Sequence, residues 1–127
     1  MHLQRPLDER QMRRRFLLAV AGSLLAGASV ALSAYAAHAT LPDVEREWLV
    51  RAWQLALAHG IALAALSPLA VRRSAFHGLL LILAGVLLFS GSLWLHAVAG
   101  VPTVLAPFGG GLMMLGWLLH AIGQWRR

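Results

Sequence analysis

Charged side chains are missing from three long stretches of this chain, Phe16 to Pro42, Ala52 to Val71 and Ser74 to Trp125. A helix rises about 1.5 Å per residue, so roughly 20 apolar residues cross the hydrocarbon core of a bilayer. The first two stretches supply one crossing each, and the third is long enough for two. The pattern predicts an all-α, polytopic membrane protein: a four-transmembrane-helix bundle with short loops and helices at about 16–39, 48–69, 75–98 and 103–125.

Local signals set the breaks. Thr40-Leu41-Pro42-Asp43 reads as the first turn, and Pro42 is suited to opening a helix. That second helix starts amphipathically, with Val44, Trp48 and Leu55 at helical spacing among charges, and then runs apolar to Pro68. Arg72-Arg73 makes the next turn. Gly100-Val101-Pro102 interrupts the third stretch, and Pro107 is tolerated in the first turn of the helix that follows.

Small residues recur every seven positions in three of the four segments. Gly22, Ser29 and Ala36 do so in the first, Gly78, Gly85, Ser92 and Ala99 in the third, and Gly109, Gly116 and Gly123 in the fourth. In lipid, apolar side chains gain nothing from meeting one another, so helices associate where small residues let backbones approach. A seven-residue period keeps such a seam facing inward through a left-handed bundle. The first and third segments also resemble each other at a fixed offset that pairs Gly22 with Gly85 and Ser29 with Ser92, a weak sign of a repeated hairpin.

Charge changes the picture through its placement. The formal net charge is +6, and all 11 basic residues are Arg. In a soluble protein that balance would point to nucleic acid; here the arginines cluster at the edges of apolar segments, as membrane anchors touching anionic lipid do. Arg5, Arg10, Arg13, Arg14, Arg15, Arg72, Arg73, Arg126 and Arg127 fall on one side of a four-span chain, and Arg46 and Arg51 on the other with Asp43, Glu45 and Glu47. The positive-inside rule then puts both termini in the cytoplasm. Residues 1–15 form a cytoplasmic Arg-rich leader and 16–125 the transmembrane domain. Tyr35, Trp48, Trp53 and Trp94 fall near the outer face and Trp125 near the inner one, as interfacial aromatics should. Arg13-Arg14-Arg15-Phe16-Leu17 also matches a twin-arginine export pattern, with Ala37-His38-Ala39 as a cleavage site. The apolar core from Phe16 to Ala39 is longer than a signal's, so it is read as a retained helix. Cysteine is absent, which removes disulfides and thiolate metal sites.

Several segments are less generic. Phe89-Ser90-Gly91-Ser92-Leu93-Trp94, Pro107-Phe108-Gly109-Gly110 and Gly116-Trp117 resemble the YgdD-like family of small bacterial inner-membrane proteins, a domain of unknown function. Ala37-His38-Ala39 is similar to that family's Ala-His-Gly, and His59-Gly60-Ile61-Ala62-Leu63 to its His-Ala-Leu-Ala-Leu. The chain departs from the pattern at Gly60 and in the loop after His38. The resemblance implies four helices and an inner-membrane address, and brings no activity, cofactor or catalytic residue.

Ionisable groups inside a membrane are costly and often functional, which singles out the histidines. His59 sits within the second span, His38 and His96 near outer helix ends, and His77 and His120 toward the cytoplasmic side. A metal or haem site needs two imidazoles at one depth, and His59 is expected deeper than His38 and His96. The favoured reading is neutral histidines hydrogen-bonded between helices. Ser90 and Ser92 have no membrane Asp or Lys to activate them, and Gly109-Gly110-Gly111 lacks the strand and the Lys-Ser of a phosphate loop. The residues carried forward, as functional or structural polar and packing positions, are His38, His59, Ser90, Ser92, Pro107, Gly109 and Gly110. No catalytic residue, cofactor or metal ligand is assigned. The expected role is a non-enzymatic accessory or assembly component, with the bilayer and a larger membrane protein or a second copy as partners and no nucleic acid. The alternatives are a small transporter or channel subunit and, behind it, a haem or metal carrier.

Overall fold

A computed structural model describes residues 8–125. Arg5, Arg126 and Arg127, counted above in the basic flank, lie outside the described residues. Four helices follow one another, α1 (Glu9–His38), α2 (Asp43–Leu66), α3 (Arg73–Ala99) and α4 (Ala106–Trp125). Each is long and apolar enough to cross a membrane. The predicted all-α, four-span architecture is the observed one.

The boundaries differ from expectation in ways the local chemistry explains. α1 begins at Glu9, inside the segment read as a leader, because the Asp8 carboxylate accepts the Gln11 N–H at 2.7 Å and caps the helix. Its 30 residues span about 45 Å, more than the hydrocarbon core needs, so the turns carrying Arg10, Arg13 and Arg14 extend past it. α2 starts directly after Pro42, with Asp43 and Glu45 in its first turn where the helix dipole favours acids. A 3₁₀ turn, Ser67–Leu69, closes it at Pro68. Gly100, at φ 68°, supplies the left-handed residue that ends α3. Pro107 is the second residue of α4, where its missing N–H costs nothing.

The helices pair as two antiparallel hairpins, α1–α2 and α3–α4, joined through α2 and α3; α1 touches α3 only lightly. The seven-residue seam is the α3–α4 contact. A Cβ added to Gly78 would lie 2.6 Å from the Gly116 carbonyl oxygen, and one added to Gly123 would lie 2.6 Å from the Ala75 nitrogen. Backbones that close exclude any larger side chain. In α1, Gly22, Ser29 and Ala36 are all buried, and Gly22 meets Gly60 of α2 in the same manner. Gly22 and Gly85, paired by the internal resemblance, thus perform the same task in their respective hairpins.

Many large side chains point outward. Leu24, Phe108 and Met114 are 69%, 64% and 66% exposed, while glycines line the closest α3–α4 contacts. In water that distribution would be an aggregating surface; against lipid it costs nothing. Apolar contacts add to the seams where α1, α2 and α3 converge: Leu18, Leu63, Leu79 and Ile82 form one buried cluster. Arg15 extends the α1 seam toward the helix start. It occupies the α1 seam position seven residues before Gly22, and it is buried at 6% exposure.

Candidate functional site

His59 lies where α2 faces α4. Its Nδ1 is 2.8 Å from the Leu55 carbonyl oxygen, which can only accept, so this nitrogen carries the proton. Nε2 is then a lone pair, and Trp117 of α4 donates its indole N–H to it at 3.2 Å. His120, one turn further along α4, presents Nδ1 to the Ala75 carbonyl oxygen at 3.2 Å and meets the Trp117 ring edge-on, with centroids 6.1 Å apart. The result is a line of polar groups through α2, α4 and α3. It is interrupted at Trp117, because an indole donates and cannot accept, and so cannot pass a proton on.

The other candidates separate into distinct surroundings. Ser90 Oγ donates to the Ala52 carbonyl oxygen of α2 at 2.8 Å, a buried bond between the two hairpins. Ser92 is buried on the α3 seam. Gly109 is pressed against Phe89 and Gly85, whereas a Cβ on Gly110 or Gly111 would meet nothing within 4 Å. Close packing therefore explains the first glycine of that triplet alone. Pro107 and His38 are exposed at the opposite end of the bundle from the α1 arginines. His96 bonds the Val101 carbonyl oxygen at 2.9 Å and packs edge-on against Trp48. The structure thus does not bring His38 and His59 together. Among the described residues, no group of three or more His, Asp or Glu side chains is placed to hold a metal ion.

Two roles escaped the sequence. Trp117 stood in a quoted motif with no function attached, and its partner is 58 residues away. Arg46 was read only as a charge on the acidic side. Its guanidinium donates to the carbonyl oxygens of Ala36 and, at 2.9 Å, Ala39, satisfying the open end of α1.

Between α1 and α3 the bundle is cleft. A groove of about 610 Å³ opens sideways to the lipid phase in the half of the bundle away from the α1 arginines, lined chiefly by Leu25, Leu32, Tyr35, Val86, Leu87 and Trp94. Its hydroxyls from Ser29 and Ser90 are already committed to carbonyl oxygens.

A family model described as "Protein of unknown function (DUF423)" matches residues 32–110, most of the chain. The chain belongs to the DUF423 family. The matched DUF423 region takes in His38, His59, Ser90, Ser92, Pro107, Gly109 and Gly110, and stops short of Arg14 and Arg15. A UPF0382 membrane protein of Haemophilus influenzae is 34% identical over 122 residues, covering 91% of this chain and 97% of that protein. No solved structure matches. This DUF423 protein is therefore a small membrane protein of an uncharacterised family, as the resemblance implied.

Proposed function

We propose that this protein is a non-enzymatic accessory or assembly component of the bacterial inner membrane, with both termini cytoplasmic. One observation carries the reading: the histidines His59 and His120, with Ser90 and Trp117, are engaged in bonds that join the protein's own helices. His59, Ser90 and His120 each bond a carbonyl or a neighbouring helix, and the one line of polar groups is broken at an indole. A transporter or channel needs a polar path that can be hydrated or can change partners. The α3–α4 seam, closed at backbone distance, leaves no space for one between those two helices, and the α1–α3 groove is lined almost wholly by apolar side chains.

A photo-crosslinking amino acid at Leu24 on α1 and, separately, at Met114 on α4 tests the role in intact membranes. Both positions face lipid. The reading expects one of them to trap a specific membrane protein in near-stoichiometric yield while the other traps lipid. Solute or proton flux through the purified protein in liposomes, or a haem absorption band on the purified sample, would contradict it.

A further inference from the structure

At the Arg-rich end of the bundle, a cavity of about 340 Å³ opens between the start of α1 and the turn joining α2 to α3. Arg14, Arg15, Arg72 and Arg73 line it with Gln11 and His77, and none of its lining residues is acidic. Four like charges around one small space repel one another unless an anion sits among them. Arg15 sharpens the requirement. It is 6% exposed, and no described residue forms a hydrogen bond or an ion pair with its guanidinium. Its stem is packed in the bundle while its guanidinium nitrogens stay accessible, so an anion in the cavity it lines can reach them.

A second groove, of about 400 Å³, leaves that cavity along the α1–α3 cleft. The two spaces share Arg14, Phe76 and His77. Beyond them the groove is walled only by Leu17, Leu18, Ala21, Leu80 and Leu83, and the larger cleft described above starts one turn further on, at Leu25 and Val86. A cationic cup thus opens into an apolar furrow that runs into the bilayer.

We propose that this composite site binds one anionic phospholipid, its phosphate headgroup among Arg14, Arg15, Arg72 and Arg73 and an acyl chain along the α1–α3 groove. Guanidinium matches phosphate with paired N–H donors, and basic pockets between membrane helices receive such headgroups. A zwitterionic lipid brings an ammonium group that the cup has no acid to receive. Free phosphate suits the cup but leaves the furrow empty. The site is independent of the accessory role proposed above.

Native mass spectrometry of the full chain in detergent reads the site, with phosphatidylglycerol, phosphatidylcholine and inorganic phosphate titrated in separate arms. Phosphatidylglycerol should bind one to one and about tenfold more tightly than phosphatidylcholine. Arg15→Gln should weaken it about five- to tenfold, while Arg13→Gln, which removes an exposed arginine outside the cup, changes it less than about twofold. Leu80→Trp, which fills the furrow and leaves every arginine in place, should also weaken it. If Arg15→Gln does not fold, Arg72→Gln and Leu80→Trp carry the test. Equal binding of the two lipids, or equal loss with Arg13→Gln and Arg15→Gln, would reduce the site to diffuse surface charge and overturn the proposal. Inorganic phosphate binding as tightly as phosphatidylglycerol and unaffected by Leu80→Trp would assign the cup to a free anion, with the same consequence.

Discussion

Gly85 and Gly109 face each other across α3 and α4 so closely that neither tolerates a side chain. A methyl group on Gly85 would sit 2.7 Å from the Gly109 carbonyl oxygen, and one on Gly109 would sit 2.6 Å from that of Gly85. Dispersion falls off steeply with distance, so helices that touch backbone to backbone gain contacts that lipid chains cannot match.

That relationship separates the glycines into two classes. Gly85→Leu or Gly116→Leu should destabilise the detergent-solubilised protein by about 1–3 kcal/mol, because the backbones must part. Gly27→Ala and Gly110→Ala, at sites with open space, should be neutral or stabilise by up to about 1 kcal/mol, because alanine leaves the unfolded chain less entropy to lose. Thermal unfolding in one detergent ranks them, and equal effects in the two classes would remove the seam as the source of stability.

His59 is the second point of test. Gln can donate to the Leu55 carbonyl and accept from Trp117, so His59→Gln should keep the fold, whereas His59→Leu strands the indole N–H and should cost about 0.6–2 kcal/mol. Trp117→Phe should lose a similar amount. A stable His59→Gln protein that fails to complement a deletion strain would give the imidazole a role beyond joining helices.

The guanidinium of Arg46 closes α1 with a two-pronged contact that an ammonium cannot reproduce. Arg46→Ala should destabilise by about 1–2 kcal/mol, with Arg46→Lys recovering less than half. Hydrogen exchange at the last turn of α1 would register the loss locally. An effect spread evenly over all four helices would count against a capping role.

Ser90→Ala should cost only about 0.6 kcal/mol, since the Ala52 carbonyl keeps its place in the α2 hydrogen-bond ladder when the hydroxyl is removed. A loss several times larger in the unfolding midpoint analysis would mean that this bond, rather than backbone packing, holds the hairpins together.

The four helices were legible because lipid imposes a crude rule, a charge-free run of fixed length, and the α3–α4 seam because its seven-residue period survives in a single sequence. Gly110 shows the limit of that legibility: adjacent to Gly109 in one motif, it lies a helical step of about 100° away and faces open space. The packing of Arg15 went unread for a related reason. Its charge placed it at the membrane edge, and its register with Gly22, Ser29 and Ala36 places its stem on the seam as well; both hold. The His59–Trp117 pair, the Arg46 cap and the α1–α3 cleft depend on how hairpins meet, which no local pattern encodes.

Cysteine accessibility tests the central claim most directly, namely a four-span bundle with its α1 and α3 starts on one side of the membrane. The chain has no native cysteine, so each introduced thiol reports alone. In intact cells, a membrane-impermeant reagent should label Glu47→Cys, in the second turn of α2, and Val101→Cys, in the turn after α3, both at the end of the bundle away from the α1 arginines, and spare Ser74→Cys and Gln124→Cys until the membrane is opened. Labelling of Ser74→Cys from outside would contradict the topology, and with it the arrangement of hairpins on which the rest depends.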